Sequence, residues 1–90
     1  MATKPLSQYD VHETPGVAGG YPCVGNTRIP VRVIVEHVRA GASIERIHAM
    51  YPQLTAAQVQ DALAYYEDYP TRIDEDIRTN AEAFAAVQRR

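Results

Sequence analysis

"SIERIHAMYPQLTAAQVQDALAYY", Ser43 to Tyr66, sets the expected architecture. Ser43 is a residue type that caps a helix start, because its hydroxyl accepts from an otherwise unpaired backbone N–H. A short helix is expected to follow, with Ile44, Ile47 and Met50 turned inward and Pro52 ending it. Thr55 and Gln58 then spell a capping box, "TAAQ", which opens a longer helix with Val59, Leu63 and Tyr66 inward. Only "YPQLT" separates the two helices, and Leu54 is placed to fill the corner between them. This is a helix-turn-helix arrangement.

Upstream, Val31, Ile34, Val35 and Val38 recur at i, i+3, i+4 and i+7, the stripe of an amphipathic helix. Pro30 suits its first turn, where a missing N–H costs nothing, and Gly41 closes it. Before it, "YPCV" and "RIPV" flank "GNT", a hairpin signature in which Gly25 and Asn26 tolerate left-handed backbone. Pro22 and Pro30 confine these arms to sheet edges or strand ends. "TPGVAGG" reads as a loop, "YDVHE" has the weak alternation of a short strand, and residues 1–8 read as a mobile terminus. Downstream, Pro70 ends the third helix, and Thr71 with Asp74 suggests a cap opening a last helix to about Val87. Its apolar positions are Ile73, Ile77, Ala81, Phe84 and Val87. The expected fold is therefore mainly α: a three-helix, homeodomain-like core with an N-terminal β-hairpin over 9–69, and a C-terminal helix over 70–90.

The chain has 90 residues, one Phe and no Trp, so its core is thin and self-association is expected, with a homodimer as the natural form. A formal charge of −2 argues against strong non-specific attraction to nucleic acid. A single cysteine excludes an intrachain disulfide and suits a reducing cytoplasm. "MATKPLSQYD" has no apolar run of signal or membrane length, so neither export nor membrane insertion is expected.

No candidate catalytic constellation emerges. The glycines lack both a following Lys-Ser or Lys-Thr pair and the G-x-G-x-x-G spacing of phosphate-binding loops. Cys23 has no base near it in sequence and reads as a small buried apolar residue. His12, His37 and His48 lack metal-ligand spacing with it, so no metal or cofactor is expected. Asp74, Glu75 and Asp76 point in different directions on a helix and match the positive end of its dipole. Arg28 carries two readings: a fork locking the hairpin to the first helix, or a contact to a nucleic acid or an acidic partner. In a DNA-reading arrangement the third helix would enter the groove, yet it holds Asp61, Glu67 and Asp68 and no Lys or Arg. Phosphate contacts would fall to Arg28, Arg32, Arg39 and Arg46, so DNA binding is expected to be weak or conditional.

From about His12 to Tyr69 the chain resembles the small prokaryotic proteins of domain-of-unknown-function family 433. The resemblance rests on Gly20-x-Pro22, on Thr27-Arg28-Ile29-Pro30-Val31, on an amphipathic helix closed by Gly41, and on Tyr51-Pro52-x-Leu54-Thr55. Tyr21 replaces a lysine common in that family, and Gly25-Asn26 replaces an Arg-Gly pair, which removes a positive charge. The resemblance implies a homeodomain-like helical core and a role as antitoxin in a type II toxin-antitoxin pair. The partner it implies is a toxin resembling PIN-type ribonucleases, with autoregulation of the operon as an accompanying role. A helix-turn-helix regulator acting on DNA without a toxin is the alternative. The last helix lies mostly beyond the resemblance, and its face of Ile73, Ile77, Phe84 and Val87 suits docking into a partner's groove. The competing expectation is that it packs on its own domain or on a second copy.

Overall fold

In the computed structural model, which describes residues 9–88 and the side chains of 9–86, a thirteen-residue helix forms the hub against which everything else packs. Two strands, β1 (Val11–His12) and β2 (Cys23–Val24), precede four helices: α1 (Val31–Arg39), α2 (Ile44–Met50), α3 (Ala56–Asp68) and α4 (Pro70–Gln88). The fold is mainly helical with a small antiparallel sheet, as expected. Among the described residues no helix is long and apolar enough to cross a membrane.

The capping signals are realised at atomic level. Ser43 Oγ accepts from the Arg46 N–H at 3.1 Å. Thr55 Oγ1 accepts from the Gln58 N–H at 3.0 Å, while Gln58 Oε1 accepts from the Thr55 N–H at 2.9 Å. Gly41, at φ +96°, ends α1: its N–H reaches Val38 O and the Ala42 N–H reaches His37 O, the paired bonds of a Schellman turn. Leu54 is fully buried in the corner between α2 and α3.

The hairpin differs from expectation in its pairing. β2 pairs with β1, Val11 opposite Val24 and His12 opposite Cys23, so "YDVHE" does supply a strand. The arm "RIPV" joins only through a single bridge, Cys23 to Pro30, because α1 begins at the very next residue, Val31. The turn is held by Val24 N–H to Ile29 O at 2.9 Å and Thr27 N–H to Val24 O at 3.2 Å. Gly25 alone takes the left-handed conformation there, at φ +57°; Asn26 does not.

α1, α3 and the first half of α4 enclose a core of Val31, Ile34, Val35, Val59, Ala62, Tyr65 and Ile73, with Ile47 and Leu54 from the α2 side. Five expected inward positions shift. Val38 and Met50 are exposed, whereas Ile44, Leu63 and Tyr66 are only half-buried and Ala62 and Tyr65 take the interior of α3. On α3 the interior face is the one turned toward the N-terminal segment: the buried ring of Tyr9 meets Tyr65 edge-on at 5.5 Å and Tyr69 at 6.3 Å, and its hydroxyl donates to Asp68.

The start of α4 also differs from expectation. The helix begins at Pro70 rather than at a Thr71 cap, since the fixed φ of proline fits a first helical turn. The acidic trio therefore falls in the second turn, beyond the strongest part of the dipole; Asp74 pairs with Arg39 of α1, and Asp76 with Arg72 one turn earlier in the same helix. Ile73, one of the expected partner-facing residues, is 0% exposed in the chain's own core. We expect Ile73→Ala to cost about 2–5 kcal/mol, the range for truncating a buried aliphatic side chain. That is a large fraction of the stability of so small a domain, and urea unfolding should show a markedly lower midpoint.

Candidate functional site

α4 has two halves with different environments. Up to Ile77 it packs on α1 and α3, with Ile73 buried and Ile77 half-buried. From Arg78 to Ala86 every residue is exposed. Ile73, Ile77, Ala81 and Phe84 succeed one another at steps of four, four and three, so they continue one face from the core into solvent. Phe84 stands on that face at 64% exposure, the most exposed large apolar side chain described. Arg78 and Glu82 pair at 3.8 Å on the solvated surface, an interaction worth little. The side chain of Val87, the remaining member of the expected partner face, lies outside the described residues.

Three contacts anchor the root of this helix. Arg39 of α1 donates to Asp74 Oδ1 at 2.6 Å and to the Tyr66 hydroxyl at 2.5 Å, and it lies over the Tyr66 ring at 5.5 Å. Tyr66 in turn donates to Asp74 at 2.9 Å, so one small network ties α1, α3 and α4. Arg72 pairs with Glu13 at 3.0 Å and with Asp76 at 3.5 Å, linking α4 to the segment after β1.

The four candidate nucleic-acid contacts are not equivalent. Arg39 is engaged as described. Arg32 is half-buried, and its Nε is shielded from solvent without a hydrogen-bond partner among the described residues. Arg28 and Arg46 are exposed, on the hairpin turn and on α2 respectively. The expected fork of Arg28 onto a carboxylate or loop carbonyls is absent among the described residues. The turn is closed instead by Thr27, whose hydroxyl donates to Val24 O at 2.6 Å and accepts from the Ile29 N–H at 3.1 Å. Side-chain hydroxyls close such turns routinely, but the sequence offered Arg28 as the more conspicuous residue.

The histidines serve as local struts. His37 Nε2 meets the Tyr51 hydroxyl at 2.9 Å, His48 Nδ1 meets Leu54 O, and His12 Nε2 lies 3.1 Å from Asp10. No group of three or more metal-ligating side chains gathers among the described residues. Cys23 is buried, its thiol donating to Tyr21 O at 3.4 Å, and burial pushes it above the ordinary thiol range. A thiol held protonated in this way is a poor nucleophile.

A small helical domain, its apolar core extended by one projecting helix, is the class these observations define. The family described as "Protein of unknown function (DUF433)" matches residues 11–66, and the chain belongs to it. It is 39% identical over 62 residues to the "Uncharacterized protein y4eO" of Sinorhizobium fredii, covering 69% of this chain and 28% of that protein. The chain therefore spans less than a third of that relative's length. A crystal structure of a DUF433 member from Anabaena variabilis superposes with a TM-score of 0.73 at 41% identity, over 81% of this chain and 72% of the other. All of α4 lies beyond the residues matched by the family.

Opposite pH behaviour is built into the acidic residues of α4. The hydrogen bond from Tyr66, then that from Arg39, holds Asp74 below the ordinary carboxylate value of 3.8. Burial pushes Asp76 above it, with Arg72 and then Arg32 pulling back. The contribution of Asp74 to stability is thus present above 3.8 and lost as pH falls through its lowered value. The cost of burying Asp76 is absent at low pH and appears as pH rises through its raised value. Carbon-13 titration should place the Asp76 midpoint above that of Asp74. The stability of Asp76→Asn relative to the parent should rise between pH 3 and 7, on the order of the carboxylate range and above.

Proposed function

We propose that the chain is a non-enzymatic antitoxin of a type II toxin-antitoxin pair, and that the distal half of α4 docks in a groove on a toxin resembling PIN-type ribonucleases. The observation that carries this reading is the exposure of Phe84, 64%, on a helix face whose root at Ile73 is locked in the core. Such a helix is held at a fixed angle, so a partner binds it without first ordering its base. An exposed aromatic at its outer end is the residue type that dominates helix-in-groove contacts. The family resemblance supplies the kind of partner.

The DNA-reading alternative draws less support from the geometry. Gln58, near the start of the would-be recognition helix, is committed to its capping box and to Asp10. Arg39 is committed to Asp74 and Tyr66. Of the four candidate arginines, Arg28 and Arg46 are left exposed and uncommitted among the described residues, and on a chain of net charge −2 they form a weak phosphate-binding surface. We expect the isolated protein to bind operator DNA no tighter than about micromolar at physiological salt. A sequence-specific nanomolar complex in a gel-shift or fluorescence titration would sink that expectation.

The direct test is co-expression with the protein encoded beside this one, followed by pull-down and titration calorimetry. Phe84→Ala should weaken the complex by about 2 kcal/mol or more, the scale of an interface hot spot, and leave the melting temperature nearly unchanged. Normal toxin binding by this variant would refute the assignment. Loss of dimer without loss of toxin binding, read by analytical ultracentrifugation, would give the α4 face to a second copy instead.

A further inference from the structure

The hairpin turn and β1 enclose a cleft of about 300 Å³, lined by His12, Thr14, Val17, Cys23, Asn26 and Arg28 along with Gly25 and Thr27. Its size lies at the small end of ligand pockets, suiting a metabolite rather than a dinucleotide. His12 and Cys23 are direct cross-strand partners, so their side chains leave the same face of the sheet and both reach the cleft.

The chemistry of the lining is unlike that of the rest of the surface. The chain carries 11 acidic residues, yet none of them lines this cleft. Asp10, which contacts the lining residue His12 at 3.1 Å, also accepts from the Gln58 amide at 2.9 Å. Arg28 is exposed and makes no ion pair or hydrogen bond among the described residues, because Thr27 closes the turn in its place. A guanidinium without a partner among the described residues therefore belongs to a cleft whose lining also includes His12, the amide of Asn26 and the hydroxyl of Thr14. Val17 and the buried Cys23 add an apolar wall.

We propose that this cleft binds a small molecule bearing one carboxylate, its head group forked on Arg28 and its short apolar portion lying against Val17 and Cys23. One guanidinium presents the parallel pair of donors that a single carboxylate accepts. A phosphate dianion would call for a second cation or a cradle of backbone N–H groups on a glycine-rich loop, and among the described residues the lining has no lysine and no second arginine. The apolar wall favours a carboxylate with a short aliphatic chain over a fully hydrated anion.

The full-length chain, labelled with nitrogen-15, is to be titrated with sodium butyrate, with sodium phosphate and sodium chloride at matched ionic strength as parallel arms. Butyrate should produce saturable amide shifts confined to residues 12–14 and 26–28, with half-saturation in about the millimolar range. Arg28→Ala should weaken this at least tenfold, and Arg28→Lys should weaken it less. The melting temperatures of both variants should match the parent, since Arg28 has no hydrogen-bond or ion-pair partner among the described residues. Three outcomes would each overturn the proposal: butyrate shifts no larger than those with chloride, butyrate shifts unchanged in Arg28→Ala, or tighter saturation by phosphate than by butyrate.

Discussion

The side-chain amide of Gln58 is the junction on which the arrangement of the N-terminal half depends. Its Oε1 accepts from the Thr55 N–H and so fixes where α3 begins. Its Nε2 donates to Asp10 at 2.9 Å and so holds the start of β1 against that same helix end. The hairpin turn closes over the amide at the position of Gly25, where a Cβ would stand 2.7 Å from Nε2. Gly25 is therefore required twice, for its left-handed backbone and for the space its missing side chain leaves. One amide thus sets helix start, strand position and turn, and the cleft beside the turn inherits its shape from that arrangement.

α4 shows how one helix can be divided between stability and recognition without a break in its backbone. The inner half is fixed by burial of Ile73 and by the Arg39, Tyr66 and Asp74 network. The outer half has only intrahelical bonds and the weak Arg78–Glu82 pair among its described residues. An isolated helix of that length would be marginal in water, so the packed inner half acts as the nucleus from which the outer half propagates. That division separates the expected consequences of truncating Ile73 from those of truncating Phe84, although both lie on one face.

The arginines show the same dependence on position. Arg39 and Arg28 are identical in chemistry, but Arg39 lies where α1, α3 and α4 converge and binds Asp74 and Tyr66 there. Arg28 lies at a turn already closed by the smaller hydroxyl of Thr27. Structural use is decided by which group reaches the backbone first at least entropy cost, and a short side chain has the advantage there. The longer residue is left for other tasks.

The sequence by itself determined the elements. The caps at Ser43 and Thr55, the Gly41 stop, the first three positions of the α1 stripe and the buried corner at Leu54 follow rules whose range is one helical turn, and each is present as read. Only the tertiary structure decided which face of each helix became interior and which charges became partners. The Tyr9 contact that turns α3 spans 59 positions, and the Arg39–Asp74 contact spans 35. Neither leaves a local periodic trace. The burial of Asp76 and the freedom of Arg28 are likewise consequences of what other segments happened to occupy. Caps and periods act through neighbouring backbone groups that the chain always holds close. Partners distant in sequence meet only after the core has closed, and that is where the candidate sites arise.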